Sequence, residues 1–260
     1  DPGMSLSFQT TTENKVLHLR FGQAGVRNLM DDAWFDALEG HLARAAEDPG
    51  VRVVLLSAEG DAFCSGANLK SVQHGLMADG YEKSALSRLL RRLTTFDKPI
   101  VAAVHGLAIG GGSTLLLHCD FVHAAQGTRF QLPFARLGLV PEFGSSYLLP
   151  LNAGMRLASQ LVLLGEPFDA DTALRAGLLT TVEPAGQELA RARQTAEALA
   201  QLAPVPVASA KRLLRQGHQA ALQAALAAEG EALQRSVQSP ELAEAVMAFI
   251  EKRPPDFSRF

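Results

Sequence analysis

The sequence predicts an α/β protein. Strand–loop–helix units recur through roughly the first 180 residues. The apolar runs at 51–58 and 99–106 have the β-branched composition of strands buried on both faces. The final stretch is rich in Ala and Leu and lacks strand signals, so a helical region is expected there.

In chain order, residues 15–21 (KVLHLRF) alternate apolar and polar as a half-buried strand does. Trp34, Leu38, Leu42 and Ala45 recur at helical spacing within 31–47. VRVVLLSA, 51–58, reads as a buried strand, and 59–69 as a Gly-punctuated loop. An amphipathic helix is expected over 81–96, a strand at 99–106 after Pro99, and a Gly-rich turn at 107–112. A short helix at 113–119 and short strands at 120–125 and 128–133 follow. Beyond 144, helices are expected at about 154–164, 170–177, 186–203, 205–215, 219–237 and 240–252. These divide the chain into a core at 4–190 and a helical oligomerisation region at 191–260. Asp1-Pro2-Gly3 before Met4 reads as an expression scar and is set aside.

Composition narrows the function. Of 260 residues 47% are hydrophobic and 20% charged, which argues against disorder. Lys plus Arg is 24 and Asp plus Glu 27, a net charge of 24 − 27 = −3, so a nucleic-acid or anionic-membrane partner is not expected. The apolar runs are broken before a bilayer could be crossed. Two cysteines, Cys64 and Cys119, give no disulfide framework. A reducing cytoplasm is therefore the expected location. The ending Ser258-Arg259-Phe260 is not a peroxisomal SKL address.

Several motifs fail on inspection. The turn from Gly106 to Ser113 does not match GxGxxG, no GK[ST] follows it, and Gly144-Ser145-Ser146 is no GxSxG elbow. His118 and His123 read as buried or capping histidines rather than metal ligands. Two loops remain: Phe63-Cys64-Ser65-Gly66-Ala67-Asn68-Leu69 and Ile109-Gly110-Gly111-Gly112-Ser113-Thr114. Each follows a buried strand, and small residues let a ligand approach backbone N–H groups closely. Two such loops converging would make an oxyanion hole.

VRVVLLSAEGDAFCSGANL, KPIVAAVHGLAIGGGSTLLLHCDFVHAA, LGLVPEFGSSYLLPLNAG and FIEKRPPDF together resemble the crotonase family, the enoyl-CoA hydratase/isomerase superfamily, from about residue 15 to 257. The resemblance implies a right-handed spiral of ββα units with a C-terminal helical extension, assembled as trimers or hexamers. It implies an acyl-CoA thioester substrate, coenzyme A being part of the substrate and no separate cofactor being needed.

Carried onto this chain, the resemblance makes the N–H groups of Ala67 and Gly111 the enolate donors. The two glutamates of the family's hydratases fall on Thr114 and on Phe134, which follows Pro133; both carboxylates are absent. LPFARLGLVPEFGSS instead is similar to the Δ3,Δ2-enoyl-CoA isomerases, whose single catalytic glutamate occupies the place of Glu142. One carboxylate that reaches both carbons can take a proton from the α carbon and return it to the γ carbon. On this view Thr114 is a bystander. Arg27 and Lys252 are expected near CoA, Lys252 that of a neighbouring subunit. Ser65, Gly66, Asn68, Gly110 and Phe134 complete the expected binding surface. Phe143, where the family often has Gly, is expected to narrow the acyl pocket, and His74, in a segment often forming a flap, to face solvent. The expected function is a shift of a 3-enoyl-CoA double bond to position 2. The alternatives are another reaction through the same enolate, hydratase-like or on a ring acyl-CoA of aromatic degradation, and a non-catalytic acyl-CoA-binding role.

Overall fold

A run of β-branched residues with no polar alternation must be covered on both faces, and the fold is arranged to do so. The computed structural model describes residues 8–22 and 27–260; Asp1-Pro2-Gly3, read above as an expression scar, and the expected core start at Met4 lie outside them. Strands β1 (Phe8–Glu13) and β2 (Val16–Phe21) form an antiparallel hairpin turned by Asn14 and Lys15, both at positive φ. Then come β3 (Leu29–Met30), α1 (Asp32–Glu47), β4 (Val53–Ala58), β5 (Gly66–Ala67) and α2 (Leu69–Asp79). A 3-10 turn at Tyr81–Lys83 leads through Ser84, whose hydroxyl accepts the Ser87 N–H, into α3 (Ala85–Thr95). The continuous helix expected over 81–96 is thus divided by its own capping serine.

The chain continues through β6 (Ile100–Val104), β7 (Leu107–Ile109), α4 (Gly111–Thr114), a 3-10 turn at Leu115–His118, β8 (Phe121–Ala125) and β9 (Arg129–Gln131). It ends with α5 (Ser145–Ala153), α6 (Met155–Leu164), β10 (Phe168–Asp169), α7 (Ala170–Arg175), β11 (Thr181–Glu183), α8 (Glu188–Ala200), α9 (Pro204–Gln216), α10 (Gln219–Ser236) and α11 (Pro240–Ile250).

One six-stranded sheet runs β1-β2-β4-β6-β8-β11, parallel except for the β1–β2 pair. The short strands form two smaller sheets, β3-β5 and β10-β9-β7. Each long strand is followed by a short one and then a helix, as in β2–β3–α1, β4–β5–α2 and β6–β7–α4. This is the expected spiral of ββα units. It explains why β7, read from sequence as part of a turn, is a strand.

The six-stranded sheet is covered on both sides. Val54 and Leu56 belong to the main core with Trp34, Leu38, Leu89 and Leu93 of α1 and α3. Val53 and Leu55 face the opposite way, against Ala192, Ala196 and Ala200 of α8. Small residues at helical spacing let α8 lie close on the sheet. The boundary expected at residue 191 therefore falls inside a helix whose buried face belongs to the sheet. Asp120 at the entry to β8 binds Lys211 and Arg215 of α9, both at 2.8 Å. No helix among the described residues is long and apolar enough to cross a membrane.

Gly106, at φ +68, turns the chain from β6 into β7, and a Cβ there would lie 1.9 Å from the Asp61 carbonyl oxygen. Gly106→Ala therefore combines left-handed strain with a backbone clash. It should cost about 3 kcal/mol or more, read as a lower denaturation midpoint in urea; an unchanged midpoint would contradict the fold described.

Candidate active site

The first loop is built by backbone pairing. The Cys64 N–H donates to Leu107 O at 3.0 Å, and Cys64 O accepts from Ile109 N at 2.9 Å, so the loop runs as an extra bridge beside β7. Asn28 anchors it from below: its fully buried side-chain amide donates to Glu59 O at 2.6 Å and Ala62 O at 2.8 Å. Ser65 N–H donates to Arg27 O at 2.9 Å, and Asn68 N–H to Met30 O at 2.6 Å, on either side of Ala67. Asn68 then caps α2 by accepting from Ser71 N at 3.2 Å. The cap needs an oxygen and not a charge, so asparagine serves.

The second loop turns at Gly110, whose φ of +55 favours glycine and whose N–H donates to Gln131 O at 2.8 Å. Gly111 opens α4, where the first N–H groups of a helix have no intrahelical acceptor. Ser113 Oγ donates to Ala108 O at 2.5 Å and pins the helix to β7. A Cβ on Gly112 would lie 2.7 Å from Cys64 Cβ, so the two loops abut with no room for a side chain.

Glu142 comes from a third segment. After a 3-10 turn at Ala135–Leu137, residues 139–141 carry the chain to it, and Phe143 (φ +56) and Gly144 (φ +72) swing the chain into α5. The Glu142 carboxyl points back at the second loop. Its Oε1 accepts a hydrogen bond from Thr114 Oγ1 at 2.6 Å. Its Oε2 lies 3.4 Å from where a Gly111 Cβ would stand, and Met30 Sδ lies 3.5 Å from that same point. Met30 is the strand partner of Ala67. Ala67, Gly111 and Glu142, the three expected catalytic positions, are thus gathered around one spot.

The carboxyl is an unusual one. Burial pushes its pKa up from 4.5 to about 8, the Thr114 hydrogen bond opposes this, and the charge of nearby Glu229 adds to it. Cys64, beside it, has its thiol pushed up to about 12 by burial and is a small buried apolar group, not a nucleophile. Thr114, expected from sequence to be a bystander, therefore orients the carboxyl directly.

Phe143 borders the same spot, its Cε2 lying 3.6 Å from where a Gly111 Cβ would stand. Its ring is fully buried against Phe35 (6.2 Å between centroids) and His118 (6.1 Å), turned into the core by the left-handed backbone. His118, neutral because burial depresses its pKa to about 4, donates from Nε2 to Phe143 O at 2.5 Å and holds that backbone. His123 is likewise buried, between Thr181 and Thr195.

The remaining expected residues divide. Ser65, Gly66, Asn68 and Gly110 lie on the two abutting loops. Arg27 is exposed at the start of the first loop's anchor. Phe134 is buried in the main core. Lys252 is exposed at φ +54 after α11, and His74 is exposed on α2. Sequence reasoning missed Glu229, buried on α10, which accepts from Gly144 N at 2.7 Å, from Ser146 N at 3.0 Å and from the Ser146 hydroxyl. Its signal is present: Leu222, Leu226, Glu229 and Leu233 form one helical stripe, with a carboxylate at a core position.

Known proteins resemble this chain over most of its length. A family model described as enoyl-CoA hydratase/isomerase matches residues 11–259. The chain is 35% identical over 245 residues to the 2,3-dehydroadipyl-CoA hydratase of Escherichia coli (strain K12), covering 94% of this chain and 96% of that one. It is 30% identical over 243 residues to the short-chain-enoyl-CoA hydratase of Clostridium acetobutylicum, covering 93% of each. The crystal structure of an enoyl-CoA hydratase/isomerase from Pseudoalteromonas atlantica T6c superposes with a TM-score of 0.89 at 39% identity, covering 96% of this chain and 99% of that one.

Burial of Glu142 has a thermodynamic signature. Its folded carboxyl titrates near 8 and an unfolded one near 4.5, so between these values the folded state holds the extra proton. Its stabilising contribution is complete below about 4.5 and is lost as the pH rises through about 8. Glu142→Gln should match the wild type at acid pH and exceed its stability above pH ~8. The gain should be a few kcal/mol at most, one pKa unit being worth about 1.4 kcal/mol. Denaturation curves at both pH values check this, and a variant no more stable at high pH would contradict the assigned burial.

Proposed function

Because the chain belongs to the enoyl-CoA hydratase/isomerase family, we propose that it isomerises a 3-enoyl-CoA to the 2-enoyl-CoA through one glutamate, Glu142. The observation that carries this reading is the carboxyl itself: displaced to about pKa 8, tied at one oxygen to Thr114, its other oxygen beside Gly111. A base with a pKa near working pH both takes and returns a proton efficiently.

The thioester oxygen sits between the N–H groups of Ala67 and Gly111. Glu142 Oε2 removes a proton from the carbon α to the carbonyl. The electrons move into the conjugated dienolate, whose oxygen charge these two donors stabilise. The protonated Glu142 then delivers the same proton to the γ carbon, and the double bond settles between α and β. Loss of one oxyanion donor typically costs about 10²–10³ in rate. Thr114 keeps Oε1 occupied, so a single oxygen serves both transfers. Ser65, Gly66, Asn68 and Gly110 line the acyl-CoA path, with Arg27 at its phosphate end; Phe134, within the core, supports the loop.

A second reading, hydration of a 2-enoyl-CoA, is favoured by the names of the relatives, several of which are hydratases. It requires Glu142 both to activate water and to protonate the α carbon, because Thr114 and Phe134 stand where the family resemblance implies the hydratase carboxylates.

Parallel assays with 3-hexenoyl-CoA and 2-hexenoyl-CoA separate the two; turnover of the second substrate alone would replace isomerisation with hydration. Glu142→Gln should lower kcat by about 10⁴ or more, one group serving two proton transfers. Thr114→Val should lower it about tenfold and move the acid limb of the profile upward, since the lost hydrogen bond favoured the carboxylate. Intact turnover in Glu142→Gln would remove this base from the mechanism.

The same reading extends to assembly as a trimer or a pair of trimers. Leu213 and Leu214 of α9 are 71% and 80% exposed, and Phe249 of α11 85%, an apolar surface that neighbouring subunits would cover. Lys252, just beyond α11, would then reach a neighbour's CoA. Light scattering at micromolar concentration should give three or six times 27.7 kDa, and a monomer would contradict both statements.

A further inference from the structure

A carboxylate beside a helix N-terminus is normally stabilised there by the free N–H groups and the positive end of the helix dipole. Glu142 is so placed. Its carbonyl accepts the Ser145 N–H at 3.0 Å as α5 begins. An ordinary glutamate at this point would fold onto the helix end and become a weak base. Here those donors are taken. Glu229 reaches across from α10 and accepts from Gly144 N and Ser146 N and from the Ser146 hydroxyl, engaging both of its oxygens. Every partner donates, as an ionised carboxylate requires. The approach is fixed by packing: a Cβ on Gly144 would lie 2.7 Å from Leu222 Cδ1 of the same helix. Tyr81 packs against Gly230 on the next residue of α10.

We infer that Glu229 is a positioning residue for Glu142: ionised, it occupies the α5 amides and cancels their positive field, which keeps Glu142 a strong base. This rests on the reading of Glu142 as the proton-transferring group. The other groups around the turn leave the titration to the two carboxylates. Thr114 does not titrate, Cys64 is pushed up to about 12, and Tyr81 is pushed up by burial and by both carboxylates. His118, behind Phe143, is depressed to about 4. Glu82 and Arg91 act on Tyr81. Burial leaves Glu229 above an ordinary glutamate as well, its three donors opposing that rise without cancelling it, so the role requires that Glu229 still ionise before Glu142.

The test is the pH dependence of kcat/KM for Glu229→Gln with 3-hexenoyl-CoA. The amide has the shape of the carboxylate without its charge. The acid limb should move down by about one pH unit, with kcat on the plateau falling about tenfold and KM changing less than about threefold. A purely structural role would lower the melting temperature or kcat and leave the limb where it was, and that result overturns the inference. Should the Gln variant not fold, carbon-13 carboxyl titration of the wild type, with resonances assigned through Glu142→Gln, decides the matter. Glu229 must stay ionised across the range in which Glu142 titrates; a protonated Glu229 in that range overturns the inference. Wild-type turnover in Glu142→Gln would remove the base as well. An inactive Glu142→Gln with an unmoved limb in Glu229→Gln removes only the role of Glu229.

Discussion

The close approach of Gly112 to Cys64 is the constraint on which the site depends. A Cβ at 112 would overlap both the side chain and the carbonyl of Cys64, so two loops from successive ββα units meet backbone to backbone. Their meeting sets Gly111 against Met30, the partner of Ala67, and places Thr114 one turn along α4, within hydrogen-bond reach of Glu142. The aromatic cluster below holds the same arrangement. Phe21 packs on Trp34 and on Phe63 of the first loop, and Phe35 packs on Phe143 of the third segment. Side chains adjoining the site on either side are thereby fixed to one core.

The sequence was most legible where a single physical demand acted on many consecutive residues. β4 and β6 show themselves because burial on both faces excludes polar residues throughout. α1 shows itself because its stripe Trp34, Leu38, Leu42 faces one core. The two-residue strands β3 and β5 have no room for a period, and their pairing comes from loops meeting in space. β1 is largely exposed, and its FQTTTE carries little apolar pattern. α5 contains Pro150, whose missing N–H argues against a helix interior; the turn survives there because packing outweighs that loss.

For the site, the chemistry-bearing segments were legible through their resemblance to a family, whereas the interactions between them were not. Thr114 looked like the remnant of a lost carboxylate because motif comparison asks what is missing. Its hydroxyl bond to Glu142 joins residues 28 positions apart, which no local pattern encodes. Asn28 holds the first loop by its side chain and was passed over for its charged neighbour Arg27. Phe143 is placed beside Gly111 by a left-handed backbone angle that a bulky residue seldom adopts, so its direction has no signal in the local pattern.

The tie between α10 and the start of α5 has a temporal consequence. Gly144 and Ser146 meet Glu229 across 85 and 83 residues of chain, Tyr81 meets Gln234 across 153, and Gln73 meets Val237 across 164. Contacts this distant form late, because the intervening chain must first give up its freedom. The central sheet can pair while the last helices are still being synthesised, but the turn bearing Glu142 cannot take its final shape until α10 has docked. A nascent or C-terminally clipped chain would thus hold its ββα spiral while the Glu142 carboxyl remained that of an ordinary glutamate, and on the proposed reading of Glu142 chemical competence would be the last property the molecule acquires as it folds.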